Sequence, residues 1–272
     1  MQKFIYFFII CLAFTQATYS QFTANYGSNT EAGKYYNIRG IKMYCEIYGQ
    51  GMPLLMIHGN SGSISSFENN IPYFEKKYKV IAVDSRSQGK SIDMKDSLSF
   101  EMMADDFAVL LDTLHIKSAY VLGWSDGAIN ALLLAIRHPE KVIKLVATGA
   151  NLWPDSTALM PSVWKDMQHQ YQTSVNKKLT TEKEKNDWKL FLLDYDQPHI
   201  PLSALHKIKC PSLIVCGDHD LIPVQHTKLI AANIPNAVFW LVPNSGHATL
   251  IEHKDEFDKR ADAFFSGSPV SQ

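Results

Sequence analysis

The feature that most constrains this fold is the alternation of short apolar runs with amphipathic segments along the chain. Most of the runs are apolar throughout, which is typical of parallel strands covered on both faces. They span residues 53–59, 79–85, 118–124, 142–150, 211–218 and 237–244. Helical patterns lie between or after them, at 65–78 (with a proline interruption), 99–115, 126–140, 224–234 and 253–265. The sequence therefore predicts an α/β fold built on a largely parallel sheet.

Two further patterns refine this expectation. Residues 34–51 alternate around Arg39-Gly40, which predicts an antiparallel hairpin before the parallel strands. Residues 151–208 interrupt the alternation with three tryptophans and the charged run 176–189, which is most simply a solvated helix face. We interpret this interruption as a mostly helical insert between two strands of the sheet.

The N-terminus differs from the rest. Lys3 precedes an apolar run from Phe4 to Phe14, and small and polar residues follow it. This order is typical of a secretory signal peptide, with cleavage after Ala17 or Ser20. The run is shorter than the roughly 20 residues that cross a bilayer. We therefore expect an exported protein, periplasmic or secreted, without a stable membrane span in its mature form. An uncleaved anchor or a lipoprotein at Cys11 is the alternative.

Composition narrows the possible partners. The chain of 272 residues is 46% hydrophobic and 19% charged, with a formal net charge of −1. That is ordinary for a globular protein. The absence of a long basic run argues against nucleic acid as a partner. Oligomeric state leaves no signal in the sequence.

The cysteines predict neither a disulfide nor a metal site. Cys45, Cys210 and Cys216 remain after removal of a signal peptide, and an odd number cannot be fully paired within one chain. Cys210 and Cys216 flank one predicted strand, so they lie roughly 20 Å apart. A disulfide needs Cα atoms within about 7 Å. No spacing of Cys and His typical of a metal site occurs, and no cofactor is implied.

Residues 123–127 read Gly-Trp-Ser-Asp-Gly, between a predicted buried strand and a very apolar helix. This is the context of a nucleophile elbow, in which a strained turn exposes a serine at the N-terminus of a helix. Backbone N–H groups at that helix end favour a developing oxyanion. We predict that Ser125 is a nucleophile; a structural turn serine is the alternative.

A serine hydroxyl needs a general base, and the base needs an acid that orients it. Two candidate acids, Asp218 and Asp220, follow the strand 211–218, and His247 follows the last strand. Both segments lie at C-terminal strand ends, where open α/β sheets place their sites.

With these motifs the chain resembles the α/β-hydrolase superfamily. Four segments carry the resemblance: "HGN" (58–60), "DSRSQGKS" (84–91), "GWSDG" and "GDHDLIP" followed by "NSGH". The resemblance implies an α/β-hydrolase fold: an eight-stranded, mostly parallel sheet with helices on both faces and a short helical lid. It selects Asp220 over Asp218 as the acid and His247 as the base. The backbone N–H groups of Asn60 and Asp126 would form the oxyanion hole.

The resemblance also divides the chain. The divisions are a signal peptide (1–20), an N-terminal extension (21–33), a first core part (34–150), the helical lid (151–208), a second core part (209–266) and a C-terminal tail (267–272). In the segment 84–91, Ser87 replaces a glycine of the family pattern. We predict that Asp84 and Arg86 form a structural pair that holds this loop.

The acid that follows the serine has two explanations. A carboxylate in the first helical turn is stabilised by the helix dipole alone. Alternatively, the Asp126 side chain borders the pocket and attracts a cation such as the amine of an amino-acid ester. The second explanation is typical of the biphenyl hydrolase-like (valacyclovir hydrolase) branch, which the segment 122–151 resembles. We also predict that Trp153 and Trp164 of the lid line an apolar substrate pocket, whereas Trp124 packs under the elbow.

The predicted activity is hydrolysis of a small carboxylic ester through an acyl-enzyme, with Ser125, His247 and Asp220 as the catalytic triad. Cofactor-free perhydrolases or haloperoxidases, carbon–carbon bond hydrolases and peptidases of the same fold share these residues and stay open as alternatives. A non-catalytic ligand receptor is the alternative of another class. The serine argues against branches that use an aspartate nucleophile.

Overall fold

The structure, a computed structural model, describes residues 25–267. The predicted signal peptide (1–20) and nearly all of the predicted C-terminal tail lie outside these residues. Eight strands form a single sheet, and in chain order they are β1 (Gly33–Ile38), β2 (Ile41–Tyr48), β3 (Met52–Ile57), β4 (Tyr78–Val83), β5 (Ala119–Trp124), β6 (Val142–Thr148), β7 (Ser212–Gly217) and β8 (Ala237–Val242).

The strand order across the sheet is β1-β2-β4-β3-β5-β6-β7-β8. Strands β1 and β2 form the predicted antiparallel hairpin, and β2 also pairs antiparallel with β4. Every other neighbouring pair is parallel, so the remaining strands end at one common edge. The hairpin turn uses positive φ angles at both Arg39 (42°) and Gly40 (89°), as a tight two-residue turn between twisted strands requires.

Nine α-helices accompany the sheet in the described part of the chain. They are α1 (Ile71–Phe74), α2 (Phe100–Thr113), α3 (Asp126–Arg137), α4 (Pro161–Ser174), α5 (Glu182–Asp196), α6 (Leu202–Leu205), α7 (Val224–Ala232), α8 (Thr249–Glu252) and α9 (Lys254–Ser266). None of them, within residues 25–267, has the length and hydropathy to cross a bilayer.

Helices cover both faces of the sheet. One apolar cluster joins α2, α3 and α7 to one face, and the other joins α1 and α9 to the opposite face. In α2 one face is buried, at Met103, Phe107, Leu110 and Leu111, and the Ser99 side chain caps the helix by accepting from the backbone of Met102. The predicted α/β fold with a covered, mostly parallel sheet is confirmed.

One predicted helix is shorter than expected. Instead of a helix over 65–78, the chain forms a 3₁₀ turn (Ile64–Phe67) and then the four-residue α1. Pro72 lies in the first turn of α1, where it can begin a helix but cannot continue one from the preceding turn. The break leaves Ile64, Phe67, Ile71 and Phe74 buried against the sheet.

The insert between β6 and β7 contains α4, α5 and α6 and forms the helical lid. A capping box begins α5: the Thr181 side chain accepts from the backbone of Glu184, and the Glu184 carboxylate accepts from the backbone of Thr181. Cys45, Cys210 and Cys216 are free thiols, as predicted.

Candidate active site

Ser125 lies in a strained turn between β5 and α3. Its φ and ψ are 57° and −121°, a conformation that is costly for a residue with a side chain. The glycines on either side make the turn possible, because a Cβ at Gly123 would lie 2.1 Å from the Gly127 carbonyl oxygen and one at Gly127 would lie 1.9 Å from the Ile57 carbonyl oxygen. The sequence thus enforces a sharp turn that exposes the serine at the N-terminus of α3.

The three predicted triad side chains lie together at the carboxyl edge of the sheet. His247 Nε2 is 2.9 Å from Ser125 Oγ, and His247 Nδ1 is 2.7 Å from Asp220 Oδ1. The other candidate acid is directed elsewhere, because the Asp218 carboxylate accepts hydrogen bonds from the backbone of Asn244 and Ser245. This geometry favours Asp220, which the resemblance selected.

Neighbouring residues hold Asp220 and His247 in position. Asp220 is buried, and its Oδ1 also accepts from the Ile222 N–H at 3.0 Å. Trp124 Nε1 donates to the His247 carbonyl oxygen at 2.9 Å, so the indole fixes the loop that carries the histidine. Gly149 lies against the imidazole: a Cβ there would be 2.6 Å from His247 Cε1.

Two backbone N–H groups beside Ser125 are free to bind an oxyanion. The N–H groups of Asn60 and Asp126 donate to no acceptor among the described residues. His58 fixes the loop that carries Asn60, because its Nδ1 lies 2.7 Å from the Gly59 carbonyl oxygen and its Nε2 accepts from the Ser85 N–H. Burial lowers the pKa of His58 to about 4, so a neutral imidazole makes both contacts.

The loop 84–91 is held differently from our prediction. Asp84 and Arg86 do not pair with each other. The Asp84 carboxylate accepts from the backbone of Ile64 and Lys90, and a Cβ on Gly89 would collide with it. Arg86 instead forms buried ion pairs with two acids. These are Asp93, only seven residues further along the chain, and Asp106, twenty residues away in α2.

A cavity of about 370 Å³ opens onto Ser125 and His247. The lid contributes Leu159, Val163 and Met167 to its apolar lining, and the core contributes Trp124, Leu221 and Ile222. Neither of the two tryptophans that we predicted as pocket residues is among its lining residues, which corrects that prediction. The Trp153 ring packs edge-on against His226 at 4.8 Å, and the Trp164 ring stacks on Tyr195 at 5.4 Å. The face of α4 that borders the cavity therefore carries Val163 and Met167 rather than Trp164.

The charged lining of the cavity includes a residue that the sequence did not suggest. Asp126 is buried, and its Oδ2 accepts from Asn60 Nδ2 at 3.0 Å. Its carboxyl group also lies beside that of Asp194, which projects from α5 of the lid into the same cavity. Burial raises the pKa of Asp126 to about 6, and burial together with the Asp126 charge raises the pKa of Asp194 well above its ordinary value. Nothing in the lid sequence marks Asp194, because its position is set by how α5 packs over Asn60.

Comparison with known proteins gives the same fold, and the relatives that it finds are hydrolases. Residues 52–186 match the family model described as "alpha/beta hydrolase fold". Human serine hydrolase BPHL is 28% identical over 265 residues, covering 89% of this chain and 88% of the human protein. The 2-hydroxy-6-oxononadienedioate/2-hydroxy-6-oxononatrienedioate hydrolase of Comamonas testosteroni is 26% identical, covering 78% of this chain and 86% of that protein.

Among solved structures, a meta-cleavage product hydrolase (CumD) superposes with a TM-score of 0.72 at 21% identity, covering 88% of this chain and 100% of that one. At this identity the superposition supports the fold alone. The family match and the full-length similarities carry the conclusion further. On these grounds the chain belongs to the α/β-hydrolase superfamily and is a hydrolase.

Proposed function

We propose that this hydrolase cleaves carboxylic esters through a covalent acyl-enzyme on Ser125. The observation that carries the proposal is the hydrogen-bonded series Ser125–His247–Asp220 at the mouth of a 370 Å³ cavity. Such a series activates a hydroxyl that would otherwise be a weak nucleophile.

In the first half-reaction, Ser125 Oγ attacks the ester carbonyl carbon while His247 Nε2 takes the hydroxyl proton. Asp220 orients the imidazole through Nδ1 and stabilises its positive charge. The carbonyl oxygen becomes an oxyanion and accepts from the N–H groups of Asn60 and Asp126, each worth about 2.7–4 kcal/mol in related sites. The tetrahedral intermediate then collapses, and His247 donates its proton to the departing alcohol.

In the second half-reaction, water replaces the alcohol. His247 takes a proton from the water as its oxygen attacks the acyl carbon, and the same two N–H groups bind the second oxyanion. Collapse of this intermediate returns the proton from His247 to Ser125 Oγ and releases the carboxylic acid. The enzyme is regenerated without any other reactant.

The cavity favours esters over the substrates of one rival reaction. The Comamonas relative is named for a dienedioate, an anionic substrate that would need cationic partners. Among residues 25–267, the lining of this cavity includes no lysine or arginine, and its acidic residues are Asp126 and Asp194. An acidic cavity repels a dicarboxylate and suits a neutral or cationic acyl group, so an α-amino-acid ester is the finer substrate class that we propose.

The test is covalent labelling with a fluorophosphonate probe together with hydrolysis of p-nitrophenyl esters. Ser125→Ala should abolish labelling and lower kcat by about 10⁶-fold, as for other triad serines. Ser66→Ala is the matched control, because Ser66 lines the same cavity but its hydroxyl does not contact His247. Labelling that persists in Ser125→Ala, or folded wild-type protein that neither labels nor hydrolyses esters, would refute the proposal.

We also propose that the protein acts after export, with its signal peptide removed. The support is the order of charge, apolar run and small residues in 1–20. Expression of the full-length chain followed by N-terminal sequencing of the exported protein should give a start at residue 18 or 21. A product that retains Met1 would contradict this proposal.

A further inference from the structure

Three apolar side chains lie exposed on one part of the surface, and we call them the apolar patch. Ile92 is 70% exposed, Met94 64% and Tyr35 55%, and these are the three most exposed large apolar side chains among residues 25–267. All three border one depression between the β1–β2 hairpin and the loop 90–95. Single exposed apolar residues are common on protein surfaces, but a group of them marks a binding surface.

The loop holds its acid inside and its apolar residues outside. The Asp93 carboxylate is buried and pairs with Arg86 Nη1 at 2.7 Å, whereas Ile92 and Met94 on either side of it face solvent. From the lid, Lys189 Nζ donates to two carbonyl oxygens of the loop, at 2.8 and 2.9 Å. The exposure of the apolar patch is therefore built into a loop that is fixed from two sides.

The charge around the apolar patch is positive. Three lysines that form no ion pair within the described part of the chain border the same depression, and they are Lys42, Lys90 and Lys95. Among residues 25–267, the only acid that borders it is Asp93, whose charge the buried ion pair already neutralises. Asp96 borders instead the cavity on the other side of the loop, toward α5. The surface thus combines apolar side chains with ammonium groups that are not neutralised.

The apolar patch lies at the edge of the sheet that also carries Ser125. Strand β2 runs antiparallel to β4, with Cys45 opposite Val83, so the start of β2 and the hairpin turn before it lie beside the end of β4. The parallel strands end at this same edge, and Ser125 directly follows β5. Whatever covers the apolar patch therefore lies beside the catalytic edge of the sheet.

We propose that the apolar patch and the three lysines around it dock this protein on an anionic lipid bilayer. The apolar side chains enter the boundary between headgroups and acyl chains, and the ammonium groups contact lipid phosphates. An anionic bilayer matches both the apolar character and the charge of this surface. A second copy of the chain docked through the same surface would instead bring the lysines of the two copies together. The docking is peripheral and does not depend on which substrate is hydrolysed.

The experiment is cosedimentation of the full chain with lipid vesicles at about 50 mM NaCl. Vesicles of phosphatidylglycerol and phosphatidylcholine in equal parts should bind the protein about 10-fold or more tightly than vesicles of phosphatidylcholine alone. Raising NaCl to about 500 mM should remove most of this difference, because salt screens the attraction between exposed lysines and lipid charge.

Hydrogen exchange then locates the contact. Anionic vesicles should slow exchange in peptides that cover residues 90–97 and leave peptides that cover β8 unchanged. This readout separates docking through the apolar patch from attachment through the apolar run 4–14, which is present in all the proteins compared.

Two double variants test the two components of the surface. Ile92→Ser with Met94→Ser should weaken binding to the anionic vesicles about 10-fold or more, because less apolar surface enters the bilayer. Lys42→Ala with Lys95→Ala should weaken it about 20-fold, roughly 5-fold for each lysine, and should reduce its salt dependence. All four side chains are at the surface, so chemical denaturation should give wild-type stability and show that lost binding is not lost folding.

Two matched controls lie elsewhere on the protein. Val238→Ser removes an apolar side chain that is 54% exposed on β8, at the opposite end of the sheet. Lys207→Ala with Lys259→Ala removes two exposed lysines that do not border the depression. Each control should change vesicle binding by less than about 2-fold.

Three results would overturn the proposal. They are equal binding of the wild type to both kinds of vesicle, double variants that bind like their controls, and slowed exchange that is confined to the N-terminal segment. A wild type that stays off the vesicles, but whose loop 90–95 exchanges more slowly as protein concentration rises, would assign the apolar patch to a second copy and would also overturn the lipid assignment.

Discussion

The sheet edge and the lid line one cavity, but they are held in place by different forces. At the sheet edge, the backbone of Gly123 and Gly127 packs so closely that no side chain fits, and Arg86 is buried with its partners. In the lid, α4 has no buried residue and α5 has only Leu190 and Leu193. Helices α4 and α5 are joined instead by stacked rings, which are those of Trp164, Tyr171, Trp188, Phe191 and Tyr195.

Under the proposed function, this difference separates two tasks. Groups that must hold a nucleophile within tenths of an ångström lie where packing leaves one conformation. Groups that select a substrate lie on elements with few buried contacts, and such elements open at lower free energy. Four predictions test whether the difference is real, beginning with the largest expected effect.

Arg86→Met should lower the free energy of unfolding by about 3–5 kcal/mol, because it leaves the Asp93 and Asp106 carboxylates buried without their cation. Chemical denaturation measures the change. Arg137→Met is the control, since Arg137 also pairs bidentately with an acid, Asp105, but on the surface. It should cost at most about 1 kcal/mol. Equal losses in the two variants would show that the sheet-edge loop is no more tightly held than the surface.

The junction of core and lid should respond to acid. His226 Nε2 accepts from the Leu152 N–H at 3.1 Å where the lid begins, and burial lowers the pKa of His226 from 6.5 to about 4. Between those pH values the unfolded chain binds a proton that the folded chain excludes, so the stability due to His226 is present above pH 6.5 and falls toward pH 4.

His226→Leu should therefore be less stable than wild type at pH 7, by about 1–3 kcal/mol for the lost acceptor. The gap should close by about 2–3 kcal/mol between pH 7 and pH 4. Denaturation of both proteins across this range measures it, and the effect of His58 is common to both. Parallel stability curves would mean that His226 is not held neutral by the fold.

Gly149→Ala should lower kcat about 10- to 100-fold, because its Cβ would lie 2.6 Å from His247 Cε1 and displace the imidazole. Ester hydrolysis measures the loss. Gly267→Ala is the matched control: its φ of 77° resembles the 73° of Gly149, but its Cβ would meet only Lys144 Nζ at 3.8 Å. Both variants share the backbone strain, so an equal loss of kcat would assign the effect to strain rather than to the histidine.

Tyr171→Ala tests the lid and should have the smallest effect on stability. Its ring is 4.5 Å from Tyr195 and 6.0 Å from Trp188, and a stacked pair contributes about 0.5–1.5 kcal/mol. We expect faster proteolysis between α4 and α5 and a raised KM, with an unchanged rate of fluorophosphonate labelling. Tyr35→Ala, at an exposed site on β1, is the control. A slower labelling rate in Tyr171→Ala would mean that the lid also positions the triad.

The difference between the tightly packed sheet edge and the sparsely buried lid also explains which features could be predicted from the sequence. The strands, α2, α3 and the position of Ser125 were predictable, because fully apolar runs and close glycines leave few alternatives. The choice of Asp220 over Asp218, and of His247 as the base, needed the family resemblance as well. The partners of Arg86 were not, since Asp106 is distant in sequence and reaches the guanidinium only after α2 has packed on the sheet.

The sequence predicted that the lid is helical, but it did not predict which faces of its helices border the cavity. Periodicity in α4 did not distinguish the face of Trp164 from that of Val163 and Met167, because neither face is buried. Asp194 gave no signal for the same reason. The catalytic role of the triad stays a prediction until the labelling experiment is done.

The lid leaves the sheet after β6 and returns at β7, and these two strands are parallel neighbours whose register runs from Leu145–Ser212 to Thr148–Val215. A connection between parallel neighbours can be long or short without shifting either strand. Lineages that share this sheet can therefore exchange, lengthen or shorten the segment 151–208 while the strand ends that carry Ser125, Asp220 and His247 remain in register. Changes confined to this one segment can then reshape the cavity that Leu159, Val163 and Met167 line without moving the strand ends.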